Sequence, residues 1–200
     1  MFMLNVEGST KRKNTSGRKH ISKRGYVKHR GEIIPVNAEG SGVYTATVKK
    51  SFEQFDMGLD KWKRQIMVIA QLHLEYSQPT NKVMTLLLKR LRYCFAKELN
   101  INEFGYHWCR ELERGKGAHY HLFLWLDGDK YRTSHAISPI IKEAWESLGG
   151  SIGSTRRPYH FVDDDQSRKG ALYHLSYLSK GRGKGNRQPQ TKDHGMSRMK

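Results

Sequence analysis

No apolar stretch in this chain approaches the roughly 20 residues that a membrane-spanning helix needs. The opening MFMLNVEGST has no charged region ahead of an apolar one, so a secretory signal is not expected. Cysteine is scarce. Cys94 and Cys109 are the two present, no CxxC pair occurs, and a zinc ribbon is excluded. Both fall in stretches that read as regular structure, which suits reduced core thiols of a cytoplasmic protein. Apolar residues make up only 36%, a deficit that points to particular segments that cannot bury themselves. Acids are the sharpest shortage, with 19 Asp and Glu against 36 Lys and Arg and a net charge of +17. So large an excess costs self-repulsion in the folded state, and a polyanionic partner is the reason to carry it. No basic amphipathic helix with a clean apolar face is evident, so nucleic acid is expected and a membrane surface is not.

The 200 residues suffice for one sizeable domain. Residues 1–31 hold nine Lys or Arg and one acid, Glu7, and read as a flexible basic arm. The arm is taken to continue to residue 60, with VYTATVKK at 43–50 compatible with a short strand. The domain is expected over 61–180 and a basic tail over 181–200. RQIMVIAQLHLE reads as a strand, with Ile66, Val68, Ala70, Leu72 and Leu74 on one face at period two. NKVMTLLLKRLRYCFAKEL reads as a helix with Met84, Leu87, Leu88, Leu91, Phe95 and Leu99 in one stripe. EFGYHWCREL and HYHLFLWL form two strands of a hairpin around ERGKGA. SPIIKEAWESLGG reads as a helix capped by Ser138, with Pro139 in its first turn and Gly149 as its stop. YHFV at 159–162 suits a strand and ALYHLSYLSK at 171–180 a short helix. This order predicts an α+β fold, an antiparallel sheet with helices packed on one face. Trp108 and Trp145 are expected in the core, and Asp163, Asp164 and Asp165 in a solvated loop.

Alternate strand residues point the same way, so His119 and His121 share one face with Phe123 and Trp125. Tyr120, Leu122, Leu124 and Leu126 make the other face uniformly apolar. Two imidazoles side by side can bind one divalent ion, and a carboxylate from the neighbouring strand would complete the set. Glu111 lies across the turn, and Glu113, nearer the turn, is the alternative. Two His and one carboxylate leave coordination positions open to a phosphate oxygen. In the late helix, Tyr173 and Tyr177 are four apart and share a face. A tyrosine is able to attack and form a covalent intermediate, and Lys180 could supply positive charge to the developing phenolate or the phosphate.

In GYHWCRELERGKGAHYHLFLWLDGD, in AWESLGG, in YLSKG and in the late GMSR, the chain resembles the HUH endonucleases, named for His, a bulky apolar residue and His. Tyr120 fills the middle place. More closely, it resembles the replication initiators of filamentous phages (inovirus type) and their prophage relatives, over about residues 62–198. The resemblance implies a ferredoxin-like sheet, a rolling-circle initiator and a bacterial host cytoplasm. It implies that Glu111, His119 and His121 hold Mg²⁺ or Mn²⁺ and that Tyr177 attacks single-stranded DNA at a replication origin. The product would be a 5′-phosphotyrosine and a free 3′-hydroxyl. Tyr173 fits the spacing of a second nucleophile, and host helicase and polymerase are implied partners. Two other readings share these features: a basic nucleic-acid-binding domain without catalysis, and an HUH relaxase or transposase.

Overall fold

The computed structural model describes residues 20–76, 80–112, 118–184 and 191–199. The main sheet is antiparallel, with strands β5 (Gln65–Leu74), β6 (Gly105–Glu111), β7 (His119–Asp127), β8 (Gly150–Gly153), β9 (Tyr159–Val162) and β10 (His194–Met196). Its order is β10-β6-β7-β5-β8, and β9 pairs with the other half of β5. Together with helices α1 (Thr45–Trp62), α2 (Lys82–Leu99), α3 (Ile137–Glu146) and α4 (Asp165–Ser176), this is an α+β fold.

The expectation of helices on one face is corrected: both faces are covered. On one, Ile66, Val68, Leu72, Tyr120, Leu122 and Leu124 pack against the α2 stripe and against Ile137, Ile141 and Trp145 of α3. On the other, Met67, Ile69, Phe123 and Trp125 pack against Val48, Phe52 and Phe55 of α1 and Leu172 and Leu175 of α4. β5 therefore reads as nearly continuously apolar, as a strand buried on both faces does. Trp145 is core and Trp108 is buried, as expected.

Much of the expected arm is structured. Residues 1–19 lie outside the described residues. After them, β1 (Ile21–Ser22) pairs with β4 (Val43–Tyr44), and β2 (Tyr26–His29) pairs with β3 (Glu32–Pro35). Arg30 and Gly31, with φ of 46° and 86°, make the two-residue turn, in the left-handed conformations that match hairpin twist. The short strand expected over VYTATVKK stops at Tyr44, and α1 takes over at Thr45. β-branched residues favour a strand locally, but Val48, Phe52 and Phe55 repeat at helical spacing over a far longer span, and burial of that stripe decides.

α3 begins at Ile137, and the Ser134 carbonyl accepts from the amides of Ile137 and Ser138. Ser138 is thus inside the first turn and not the cap. α4 begins earlier than expected, because Asp164 caps it. Asp164 Oδ1 accepts from Ser167 N at 2.6 Å while the Ser167 hydroxyl accepts from the Asp164 amide at 3.1 Å. Two of the three acids read as loop therefore belong to a helix start. The helix also ends earlier, at Ser176, and a 3₁₀ turn carries Tyr177–Ser179.

α4 is held by one carboxylate. Asp56 of α1 is 1% exposed. It accepts from Arg168 Nε at 2.9 Å and Nη2 at 2.6 Å, and from His29 Nε2 at 2.8 Å. Arg168 also reaches Glu32 at 3.2 Å, so hairpin, α1 and α4 meet at this point. Removing one partner of a buried ion pair strands the others. Asp56→Ala should cost on the order of 3–5 kcal/mol in urea-unfolding free energy, whereas Asp60→Ala, at an exposed carboxylate on Arg30, should cost under about 1 kcal/mol.

Candidate active site

Register decides which side chains share the candidate face. Across β6, β7 and β5, Glu111 pairs with His119 and His119 with His73. One step along the same face, Cys109 pairs with His121 and His121 with Gln71. Antiparallel partners stand about 5 Å apart, so Glu111, His119 and His121 rise from neighbouring points, as expected. Glu113 lies outside the described residues.

The side chains sort into two contacts. Glu111 Oε2 is 3.3 Å from His121 Nε2, and because the carboxylate can only accept, that nitrogen carries the hydrogen. Its other oxygen, Oε1, accepts from Lys184 Nζ at 3.0 Å, and the Lys184 side chain is wholly buried. His119 turns the other way, its ring edge-on to His73 with centroids 4.4 Å apart. Among the described residues, no three His, Cys, Asp or Glu side chains come close enough together to hold a metal ion. The donors are chemically apt for Mg²⁺ or Mn²⁺, one carboxylate and two imidazoles with room for other ligands, but here the carboxylate is paired with protein cations. Holding an ion would exchange the hydrogen bonds of Glu111 for bonds to that ion.

Tyr177 is the nucleophile candidate that reaches this face. Its ring stands edge-on to His121 with centroids 5.3 Å apart. Lys180 Nζ lies 5.8 Å from the centre of the Tyr177 ring and donates to Asn37 Oδ1 at 2.9 Å. Tyr173, one turn earlier, is 44% exposed, and no contact joins it to Glu111 or the histidines. The difference arises at the helix end, where the 3₁₀ turn rotates Tyr177 toward the sheet while Tyr173 stays on the outer side of α4. His174 does point elsewhere. Its Nδ1 is 3.0 Å from His160 Nε2, and its ring packs on Phe123.

Three contributors escaped the sequence reading. His73 had a signal, since it occupies an odd position on β5, the face opposite the Ile66–Leu74 apolar series. Gly153 on β8 leaves it room, because a Cβ there would fall 2.4 Å from His73 Nε2. Lys184 and Asn37 had none, because their partners are 73 and 143 residues away. The expected loose tail is corrected at both ends. Gly183 O accepts from Leu112 N at 3.1 Å, which lays the chain over Glu111, and residues 194–196 form β10.

Burial shifts several groups. It alone would raise the Glu111 carboxyl. Donation from His121 and the charge of Lys184 outweigh it and hold the carboxyl at about 2. His160 is pushed down to about 4 by burial, with Arg157 and His174 adding to it. Burial likewise raises the Cys109 thiol to about 12, an inert core group. Cys94 and Cys109 are both free thiols.

A family model described as replication-associated protein ORF2 matches residues 70–182. The match spans more than half of the chain, which therefore belongs to this replication-associated protein family. It includes His73, Glu111, His119, His121, Tyr173, Tyr177 and Lys180. Searches of curated proteins and of solved structures return no match. No helix among the described residues is long and apolar enough to cross a membrane.

The Glu111–Lys184 pair yields a stability test. Glu111→Gln leaves Lys184 buried without its anion and should destabilise the protein at pH 7 by roughly 3 kcal/mol. Adding Lys184→Met should recover most of that. The folded carboxyl titrates below its unfolded value of 4.5. Its contribution is therefore present above pH 4.5 and lost as pH falls toward about 2. The double variant should lack that acid loss when urea midpoints are measured against pH.

Proposed function

We propose that this replication-associated protein is a rolling-circle initiator of the HUH class, of inovirus type, that nicks and rejoins single-stranded origin DNA in a bacterial cytoplasm. The observation that carries the reading is the Tyr177 ring 5.3 Å from that of His121, whose Nε2 donates to Glu111. A phenol from a late helix, an imidazole and a carboxylate thus meet on one sheet face. Lys180, steadied by Asn37, places positive charge beside the phenol. Glu111, His119 and His121 would hold Mg²⁺ or Mn²⁺, which when bound neutralises phosphate charge and orients the scissile group.

In the reaction, Tyr177 Oη forms a bond to phosphorus as the bond from phosphorus to the 3′ oxygen breaks. The proton lost by the phenol is matched by the one gained by the departing 3′ oxygen. One phosphodiester replaces another, so the step runs equally well in reverse and rejoins the strand. The free 3′-hydroxyl can prime synthesis by a host polymerase, with a host helicase opening the duplex.

A second reading, a DNA-binding replication protein without catalysis, draws on the pairing of Glu111 with Lys184 in place of a three-donor cluster among the described residues. One experiment separates the two. With Mn²⁺ and a single-stranded origin oligonucleotide, the full chain should form a covalent adduct that survives denaturation. Tyr177→Phe should lower the yield by roughly 10³-fold or more, as loss of a nucleophile does, and Tyr173→Phe should retain the first adduct. No adduct from the unaltered chain, with salt-sensitive binding kept in His119→Ala and His121→Ala, would establish the second reading.

A further inference from the structure

A groove of about 670 Å³ runs along the β10 edge of the sheet, between the start of α1 and the outer side of α2. Four cations line it: Lys50 from α1, Arg92 from α2, and Lys192 and Arg198 on either side of β10. All four are exposed, and no acid is among the lining residues. Between the cations, Tyr106, Met84 and Leu88 give the groove apolar and aromatic walls. β10 lies close over Trp108 because residue 195 is glycine; a Cβ there would fall 2.3 Å from Trp108 Nε1. The Lys192 end adjoins β7. Asn81 donates to the Lys192 carbonyl at 2.7 Å and accepts from the Tyr120 hydroxyl at 3.3 Å, and Tyr120 sits between His119 and His121.

We propose that this groove carries the single DNA strand flanking the scissile phosphate, leading it from the start of β7 along β10. The proposal rests on the reading of the chain as an origin-nicking initiator and adds a path for its substrate. Cations on the rims with an apolar, aromatic wall between them suit phosphates outside and bases inside, the arrangement by which proteins hold single strands without reading sequence. An acidic peptide would satisfy the cations but leave Tyr106 and the methionine and leucine walls without matching groups. The groove also keeps part of the chain's positive charge close to the scissile point, whereas charge dispersed over the surface would attract DNA without directing it.

The test uses the full chain, a fluorescent oligothymidylate and the variant with Lys50→Ala, Arg92→Ala, Lys192→Ala and Arg198→Ala. Each lost phosphate contact on a single strand lowers the slope of log affinity against log salt by about 0.7, so the slope should fall by roughly 3. Affinity should drop roughly tenfold or more, while the melting temperature holds. An oligonucleotide bearing 5-bromouracil should photo-crosslink to the peptides containing Tyr106 or Met196. An unchanged slope in a variant with unchanged melting temperature, or crosslinks confined to other surfaces, would overturn the proposal and leave the groove to a protein partner. Failure of the nicking reading looks different: the unaltered chain forms no Tyr177 adduct, yet the four-alanine variant still loses slope. If instead nicking stands and the groove does not, the variant keeps both its adduct and its slope.

Discussion

The pairing of β6, β7 and β5 in one register is the constraint on which the candidate site depends. It sets Glu111 against His119 and His119 against His73, and places His121 one same-face step away. A slip of one residue would send every one of these side chains to the opposite face, into the layer built by α2 and α3. The register is fixed from both sides. Leu122, Leu124 and Leu126 are committed to one core, and Phe123 and Trp125 to the other. The strand that carries the histidines therefore has apolar anchors on both faces immediately after them. The polar cluster sits at the strand's open end, where side chains reach solvent and a phosphate.

A second constraint brings the phenol to that cluster. α4 would be a weak helix alone, with few apolar residues. Its place is set by Leu172 and Leu175 in the core and by Arg168 on the buried carboxylate of Asp56. Asp56 also receives His29, so the β2–β3 hairpin, which belongs to the basic N-terminal region by composition, helps to position the helix that ends at Tyr177. Asn37, from the same region, steadies Lys180. The part of the chain before residue 60 is thus coupled to the chemistry as well as to the charge. At the other end, Lys184 compensates Glu111 from just beyond the residues that the family model matches.

Long, strongly periodic elements were legible in the sequence. β5, β6, β7, α2 and α3 each display their period over enough residues to outweigh local exceptions, and the Glu111, His119 and His121 set followed from strand alternation and the hairpin. The Tyr177 position followed too, though from a helix that ends one residue before it. What was hidden is short or non-local. Arg30–Gly31 is a turn signal submerged in a run of cations. β8 is half glycine, and β10 has three residues whose partners on β6 lie more than 80 positions earlier. α1 begins in β-branched residues, and its helical period appears only across its whole length. Lys184 read as one more charge in a basic tail because nothing local announces a bond to a carboxylate 73 residues away. The second covered face of the sheet was missed for the same reason: without α1, Met67, Ile69 and Phe123 had no evident partner.

The claim that bears the most weight is that this one sheet face gathers a divalent ion beside Tyr177. Titrating the protein with Mn²⁺ and following the imidazole proton resonances by NMR tests it directly, since the paramagnetic ion broadens only nuclei close to it. The account predicts that His119 and His121 broaden first and together, and that Glu111→Gln weakens the effect without moving it. Broadening that begins at His160 and His174, or that leaves His119 and His121 sharp throughout, would contradict it.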